Sequence, residues 1–211
     1  MTRAAVLDRR GPYRGDQRRA ALLRALDELL RDGTLDTINI ADISRRAGVT
    51  RSAFYFYFEN KAAAVAAVMT DMYDEVFVAA GSLLGAQGTP RERIEATIRG
   101  VFAAWAGHRH LYSAMLEARQ SNSAVRELWD SDRTSFVEPI AAMIDAERAA
   151  GRAPDGPSGS ALATVLLELN DLAMQRLALG DPLDESARAE VLVTIWLRCI
   201  WGTTTAERIA P

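Results

Sequence analysis

The chain has 211 residues, of which 49% are hydrophobic and 25% charged, with a formal net charge of −3 and a single cysteine. That size and balance suit a globular chain with a sizeable core and exclude a disordered polar tail or a disulfide-stapled miniprotein. No apolar run approaches the ~20 residues of a bilayer span, and the N-terminal MTRAAVLDRRGPYRGDQRR lacks the apolar centre of a signal peptide, so a cytoplasmic setting is expected.

Residues 1–15 carry Arg3, Arg9, Arg10 and Arg14 among Gly11, Pro12 and Gly15. No helical period is sustained there, which predicts a mobile basic arm, either simply solvated or lying along a nucleic-acid backbone. DQRRAALLRALDELLRD, 16–32, is the first predicted helix, with Asp16 as its cap and Leu22, Leu23, Leu26, Leu29 and Leu30 on one face. Arg18 at its start can reach outward.

From Asn39 to Lys61 the chain reads NIADISRRAGVTRSAFYFYFENK. Asn39 caps a short helix whose Ile40, Ile43 and Ala47 share a face, and Gly48 supplies the left-handed residue that ends it. Thr50 caps the next helix. Two short helices joined by a glycine turn form a helix-turn-helix, whose second helix enters the DNA major groove. Thr50, Arg51 and Ser52 place two hydroxyls and a guanidinium on the first turn of that helix. Phe54 and Phe58, at i and i+4, are expected in the core, while Tyr55 and Tyr57 turn hydroxyls toward phosphates. Arg45, on the preceding helix, adds a cation. The charge distribution agrees. Residues 1–61 hold 12 Lys+Arg against 8 Asp+Glu, a net of +4, and residues 62–211 hold 13 against 20, a net of −7.

ADISRRAGVTRSAFYFYFENKAAAV resembles the DNA-binding domain of the TetR family of transcriptional regulators, whose pattern ends in a lysine at the start of the next helix, here Lys61. The resemblance implies operator binding by Thr50, Arg51, Ser52, Tyr55, Tyr57 and Lys61. Ala62 to Ala64 depart from the charged and leucine residues more usual after that lysine.

Four-residue periodicity then predicts a long helix from Lys61 to about Leu84, a rod from the helix-turn-helix into the body. Thr89-Pro90 starts a helix to about Ala106. Further helices are predicted at 108–119, at 123–150 with a kink near Ser135 caused by Pro139, at 161–179 and at 185–202. The fold class is therefore all-α with about nine helices: the arm over 1–15, the helix-turn-helix domain over 16–61, and a helical body over 62–211 to which the family resemblance assigns ligand binding and dimerisation. Cys199, beside Ile195, Trp196 and Ile200, is expected to be buried.

ELWDSDRTSFVEPIAAMIDAERAAGRAP, ALATVLLELND and IWLRCIWG resemble a mycobacterial repressor branch of the same family. This implies a homodimer with a ligand channel in its body, and repression rather than activation. The residues give independent, weaker support: Phe102, Trp105, Met115, Phe136, Ile140, Met143, Leu166, Met174 and Trp196 fall on apolar faces of body helices, rich in the Trp and Met that pack with gaps. Asn170 is the polar residue among them, free to bind a ligand, and it matches a pocket asparagine of that branch. A second one stands there where this chain has Leu167, and aromatic and hydroxyl groups stand where it has Pro139 and Ile140, so a more apolar effector is expected. Apolar residues on more than one face of the last two helices predict a four-helix dimer interface, with Leu197 on its outer face.

Catalysis fails on inventory. The two histidines, His108 and His110, point to different helix faces, no ligand cluster suggests a metal, and no phosphate-cradling glycine loop or nucleophile motif occurs. No cofactor is expected. Two readings remain: a ligand-responsive repressor that is a homodimer on a double-stranded operator, or a helical ligand-binding or adaptor protein whose helix-turn-helix is only structural.

Overall fold

A computed structural model describes residues 14–69, 88–180 and 182–202. Within them the order is α1 (Arg14–Asp32), α2 (Ile40–Arg46), α3 (Arg51–Tyr57), α4 (61–69), α5 (Pro90–Gly107), α6 (Arg109–Ser121), α7 (Ser123–Ser135), α8 (Val137–Ala149), α9 (Gly159–Ala178) and α10 (Glu185–Trp201). No strand occurs among the described residues. The all-α class expected from the sequence holds.

The caps explain most of the boundaries. Asn39 Oδ1 accepts the Asp42 N–H at 2.9 Å, and Thr50 Oγ1 accepts the Ala53 N–H at 3.2 Å. Between them Gly48 takes φ 67°, while the Gly48 and Val49 N–H groups close back on Arg45 and Ser44. That is the left-handed helix stop anticipated at Gly48, and it sets the angle between α2 and α3. Thr89 and Glu92 cap α5 reciprocally, with Pro90 at the helix start.

Three boundaries differ. The first helix begins at Arg14, so Asp16 sits within its first turn, where a carboxylate suits the helix dipole, rather than serving as its cap. The helix expected over 123–150 is divided into α7 and α8 at Phe136. Pro139 lacks an N–H and its ring collides with the Ser135 carbonyl, so the chain closes α7 with a Phe136 N–H bond to Arg133 and restarts α8. The rod expected over 61–84 is helical over 61–69, and its remainder lies outside the described residues, as does most of the basic arm.

Two hydrophobic clusters fill the interior. The first begins in the helix-turn-helix, with Leu22, Leu26, Ile43, Phe54 and Phe58, and runs through Val65 and Met69 into Tyr112, Met115, Trp105 and Trp129. The second joins α5, α8, α9 and α10 through Ile98, Phe102, Ile144, Leu166, Leu192 and Trp196. Full burial of one such large side chain contributes roughly 1.5–3 kcal/mol. Gly159 lets α9 start hard against α8, because a Cβ there would stand 2.8 Å from the Ala141 carbonyl oxygen. Cys199, expected inside, is exposed on α10: the faces of Trp196 and Ile200 turn inward and carry Cys199 out.

Candidate functional site

Two sites emerge, one on the N-terminal helices and one inside the body. On α3, Phe54 and Phe58 pack inward at 5.6 Å between ring centroids, as their spacing predicts. This turns Arg51, Ser52, Tyr55 and Phe56 outward together, with Thr50 exposed just before them. Arg51 Nη2 donates to the Tyr55 hydroxyl at 3.3 Å and its guanidinium stands 5.7 Å from that ring's centroid, so the side chain is held along the helix. Phe56 is 80% exposed, an apolar ring in water that the sequence reading left without a role. Its place on the outward face, i+4 from Ser52, was the signal that could have found it. Tyr57 is half-buried. Arg18 is exposed on α1, and Arg45 is exposed but ion-paired with Asp42.

Lys61 departs from expectation. Its ammonium donates to the carbonyls of Leu35 at 2.5 Å, Ile38 at 2.6 Å and Asp36 at 3.3 Å. The lysine ties the start of α4 to the loop between α1 and α2. The three carbonyls belong to that loop, and the ammonium's hydrogen bonds are made inside the fold rather than toward the surface of α3.

The body holds a cavity of about 130 Å³. Its wall comes from α5 through Ile94, Ile98, Phe102 and Trp105; from α7 through Trp129, Asp132 and Arg133; from Phe136 and Ile140; from α9 through Asn170, Asp171 and Met174; and from Trp196 of α10. The cavity lies along the seam between the two hydrophobic clusters: Trp105 and Trp129 belong to the first, Phe102, Ile140 and Trp196 to the second.

Of the ten expected ligand residues, Phe102, Trp105, Phe136, Ile140, Asn170, Met174 and Trp196 line this cavity, and Met115, Met143 and Leu166 do not. Met115 is fully buried in the first cluster, and Leu166 and Met143 pack into the second; an apolar helix face alone does not say which of its residues meets a void. Asn170 is not free: its Oδ1 accepts the Trp196 indole N–H at 3.0 Å, leaving its amide NH₂ as donor. Thr97, Trp129, Asp132, Arg133 and Asp171 were missed. Trp129, Asp132, Arg133 and Phe136 follow one another at i, i+3, i+4 and i+7, so the stripe was visible, but its charged members disguised it as a solvated face.

Asp171 is the polar centre of the wall. Buried, it accepts from the Tyr112 hydroxyl at 3.3 Å, Arg119 at 3.4 Å, Arg133 at 3.3 Å and Gln175 at 3.3 Å. Arg119 also lies 4.9 Å from the Trp129 ring centroid. Tyr112 and Arg119 are on α6, whose opposite face reaches the N-terminal unit: His110 Nε2 meets Asp27 Oδ1 at 2.7 Å, and Glu117 accepts the Asp36 N–H at 3.0 Å. One helix thus touches both the cavity wall and the loop that Lys61 braces. No group of three or more metal-ligating side chains occurs among the described residues, and no described helix is long and apolar enough to cross a membrane.

Comparison with known proteins bears on both sites. The family model described as "Bacterial regulatory proteins, tetR family" matches residues 22–68, and "Transcriptional regulator EthR, C-terminal domain" matches residues 94–202. The chain is 31% identical over 192 residues to the HTH-type transcriptional regulator EthR of Mycobacterium tuberculosis, covering 89% of each chain. It is 32% identical over 197 residues to EthR of Mycolicibacterium smegmatis, covering 90% of this chain and 88% of the other. Among solved structures, FadR of Bacillus subtilis in complex with stearoyl-CoA aligns with TM-score 0.67 at 17% identity, over 88% of this chain and 99% of that one. A SmeT–triclosan complex aligns with TM-score 0.66 at 16% identity, over 86% and 90%.

Proposed function

Because the chain belongs to the TetR family of transcriptional regulators, with an EthR-type C-terminal domain, we propose that it is a homodimeric repressor released from its operator by a small apolar effector. The observation that carries the reading is the position of the cavity. It lies on the seam between a cluster continuous with the helix-turn-helix and a cluster confined to the body. A ligand entering there must part the two.

In this scheme residues 16–61 form the DNA-binding unit and 62–211 the effector and dimerisation unit. Arg51 reads a guanine edge, and Thr50, Ser52, Tyr55, Tyr57, Arg45 and Arg18 hold phosphates or sugars. Phe56 offers an apolar ring to a thymine methyl. Lys61 is left out, since its ammonium is occupied. The dimer forms through the outer faces of α9 and α10, where Val165, Leu172 and Val191 stand 61%, 50% and 51% exposed. Leu197, expected on that face, is only 8% exposed and belongs to the chain's own core. Two such helices from each subunit make an isologous four-helix interface that places two α3 helices about one DNA turn, ~34–36 Å, apart on a palindrome.

Effector action then follows from the contacts. A molecule among Phe102, Trp105, Trp129 and Trp196 presses on Arg133 and Asp171, which hold Tyr112 and Arg119 of α6. Through His110 and Glu117, α6 carries the shift to α1 and the loop behind it, alongside the path through α4. Ligand and operator compete with a coupling of ~1–3 kcal/mol. FadR and SmeT bind apolar-bodied molecules, stearoyl-CoA and triclosan, in folds of the same shape.

The test is selection of bound genomic fragments, followed by salt titration on the selected duplex and on random duplex. A repressor shows tight specific binding and a steep linear fall of log affinity with log salt. An adaptor protein selects no sequence and shows no slope. Hydrophobic compounds that quench tryptophan fluorescence should also release the selected duplex; quenching without release would refute the coupling.

A further inference from the structure

The charges of the cavity wall do not balance. Three ionisable side chains among the described residues line it: Asp132, Arg133 and Asp171. Asp171 is saturated by Tyr112, Arg119, Arg133 and Gln175. Arg133 is in turn divided between Asp171 at 3.3 Å and Asp130 at 3.0 Å. Asp132 is different. Among the described residues no donor or cation reaches its carboxylate; only its backbone carbonyl is engaged, by the Ser135 hydroxyl at 2.6 Å. Burial raises its carboxyl above the ordinary value, and no charge among the described residues offsets this. A half-buried carboxylate beside apolar walls, with no partner among the described residues, is an unfavourable arrangement that a counter-cation relieves.

Resting on the reading of this cavity as the effector site, we propose that the effector is an amphiphilic amine whose protonated nitrogen pairs with Asp132 while its apolar body lies among Phe102, Trp105, Trp129 and Trp196. The rest of the wall agrees. Indole and phenyl faces attract a cation as well as an alkyl or aryl group. An anionic head would meet a carboxylate without a counter-charge among the described residues, and Arg133, the only arginine among the described wall residues, is already doubly paired. A metal ion lacks further ligands here, since no cluster of three or more ligating side chains occurs among the described residues.

The test uses three matched probes that share one body and differ in charge: 4-phenylbutylamine, 4-phenylbutanol and 4-phenylbutyrate. Each is titrated calorimetrically at pH 7.5 into the full chain and into Asp132→Asn. In the unmodified protein the amine should bind at least about tenfold tighter than the alcohol, and the carboxylate should bind weakest. In Asp132→Asn the amine and the alcohol should converge, with alcohol affinity held within about twofold. Removing an unpartnered, desolvated charge should leave thermal stability equal or higher; Asp132→Ser serves as a second variant should the asparagine perturb the fold. Equal binding of amine and alcohol to the unmodified protein, or an amine preference that survives both substitutions, overturns the amine assignment while leaving the cavity an effector site. Failure of all three probes to bind overturns the assignment together with the effector cavity itself.

Discussion

The proposed recognition surface and the proposed effector cavity are built on opposite principles. The surface on α3 is local. Its cap, glycine stop, inward phenylalanines and outward Arg51 and Ser52 lie within a dozen consecutive positions, and helical spacing alone decides which way each faces. Among the described residues the cavity is assembled from five helices and the α7–α8 junction, with residues as far apart as Ile94 and Trp196. Its shape depends on where two cores fail to close on each other. The local site is fixed by contacts within its own stretch of chain, and the assembled one lies on the seam between the two clusters.

The sharpest way to break that picture is at the proposed dimer interface, on which both proposed functions depend. Leu172→Glu and Val191→Glu place charges on the exposed faces of α9 and α10 without touching the cavity. Sedimentation should show a folded monomer of about 23 kDa. Operator affinity should fall by about 10²–10⁴, because two half-site contacts no longer add on one DNA molecule. A dimer that persists in both variants would move the interface elsewhere.

Next in size is the polar hub. Asp171→Ala leaves Arg119 and Arg133 facing each other without their shared carboxylate. A fully buried pair broken in this way costs ~3–5 kcal/mol, and the partial exposure of both arginines reduces that to about 2–3 kcal/mol. Urea denaturation measures it, and Asp171→Asn, which keeps an acceptor, should lose less. A loss below about 1 kcal/mol would mean that the hub is screened like a surface pair. Arg51→Ala should then cost about 1–3 kcal/mol on the selected operator and little on random duplex. Equal loss on both would reassign Arg51 to a phosphate.

What was legible in the sequence divides along the same line. Asn39, Gly48, Thr50 and the Phe54–Phe58 pair could be placed because their partners lie within five residues. Seven of the ten expected cavity residues line it, six of them for a looser reason: they are large and apolar on helices that meet, with Asn170 the polar exception. Met115 and Leu166 satisfy the same description and pack solidly instead, since whether a void adjoins a side chain depends on the neighbouring helix. Asp132, Arg133 and Asp171 were invisible because a charge on a helix usually faces water. Three of them on one wall become intelligible only once Arg119 and Tyr112, from another helix, are beside them. Pro139 was read correctly as a disturbance but not as a full break. Leu197 was put outside because α10 is apolar on two faces, and periodicity cannot say which face meets the chain's own core.

Lys61 tests the boundary between the two kinds of information. Sequence pattern assigns it to DNA, and the structure gives its ammonium to the carbonyls of Leu35, Asp36 and Ile38. Lys61→Met should lower unfolding stability by about 1–2 kcal/mol through lost hydrogen bonds. The salt dependence of binding to random duplex should keep its slope, because no phosphate contact is removed. A slope shallower by about one unit would return Lys61 to the interface.

The smallest effect concerns the joint between the two regions, where His110 of α6 meets Asp27 of α1. Burial alone would raise the Asp27 carboxyl, but hydrogen bonds from His110 and Arg31, with the charges behind them, hold it below the ordinary carboxylate range. The folded value lies under the unfolded one, so this contact contributes fully above the ordinary carboxylate pKa of about 4 and is lost as pH falls through the lower folded value. Asp27→Asn should therefore be less stable than the unmodified chain by a constant margin from pH 7 down to about 5, under about 1 kcal/mol for a partly solvated pair. Below pH ~4 the margin should shrink as the unmodified carboxylate takes up its proton. Urea midpoints across that range decide it. A margin that stays constant into acid would show that Asp27 adds no charge-dependent hold on α6, and coupling between cavity and recognition helix would then run through α4 and the Glu117–Asp36 contact instead.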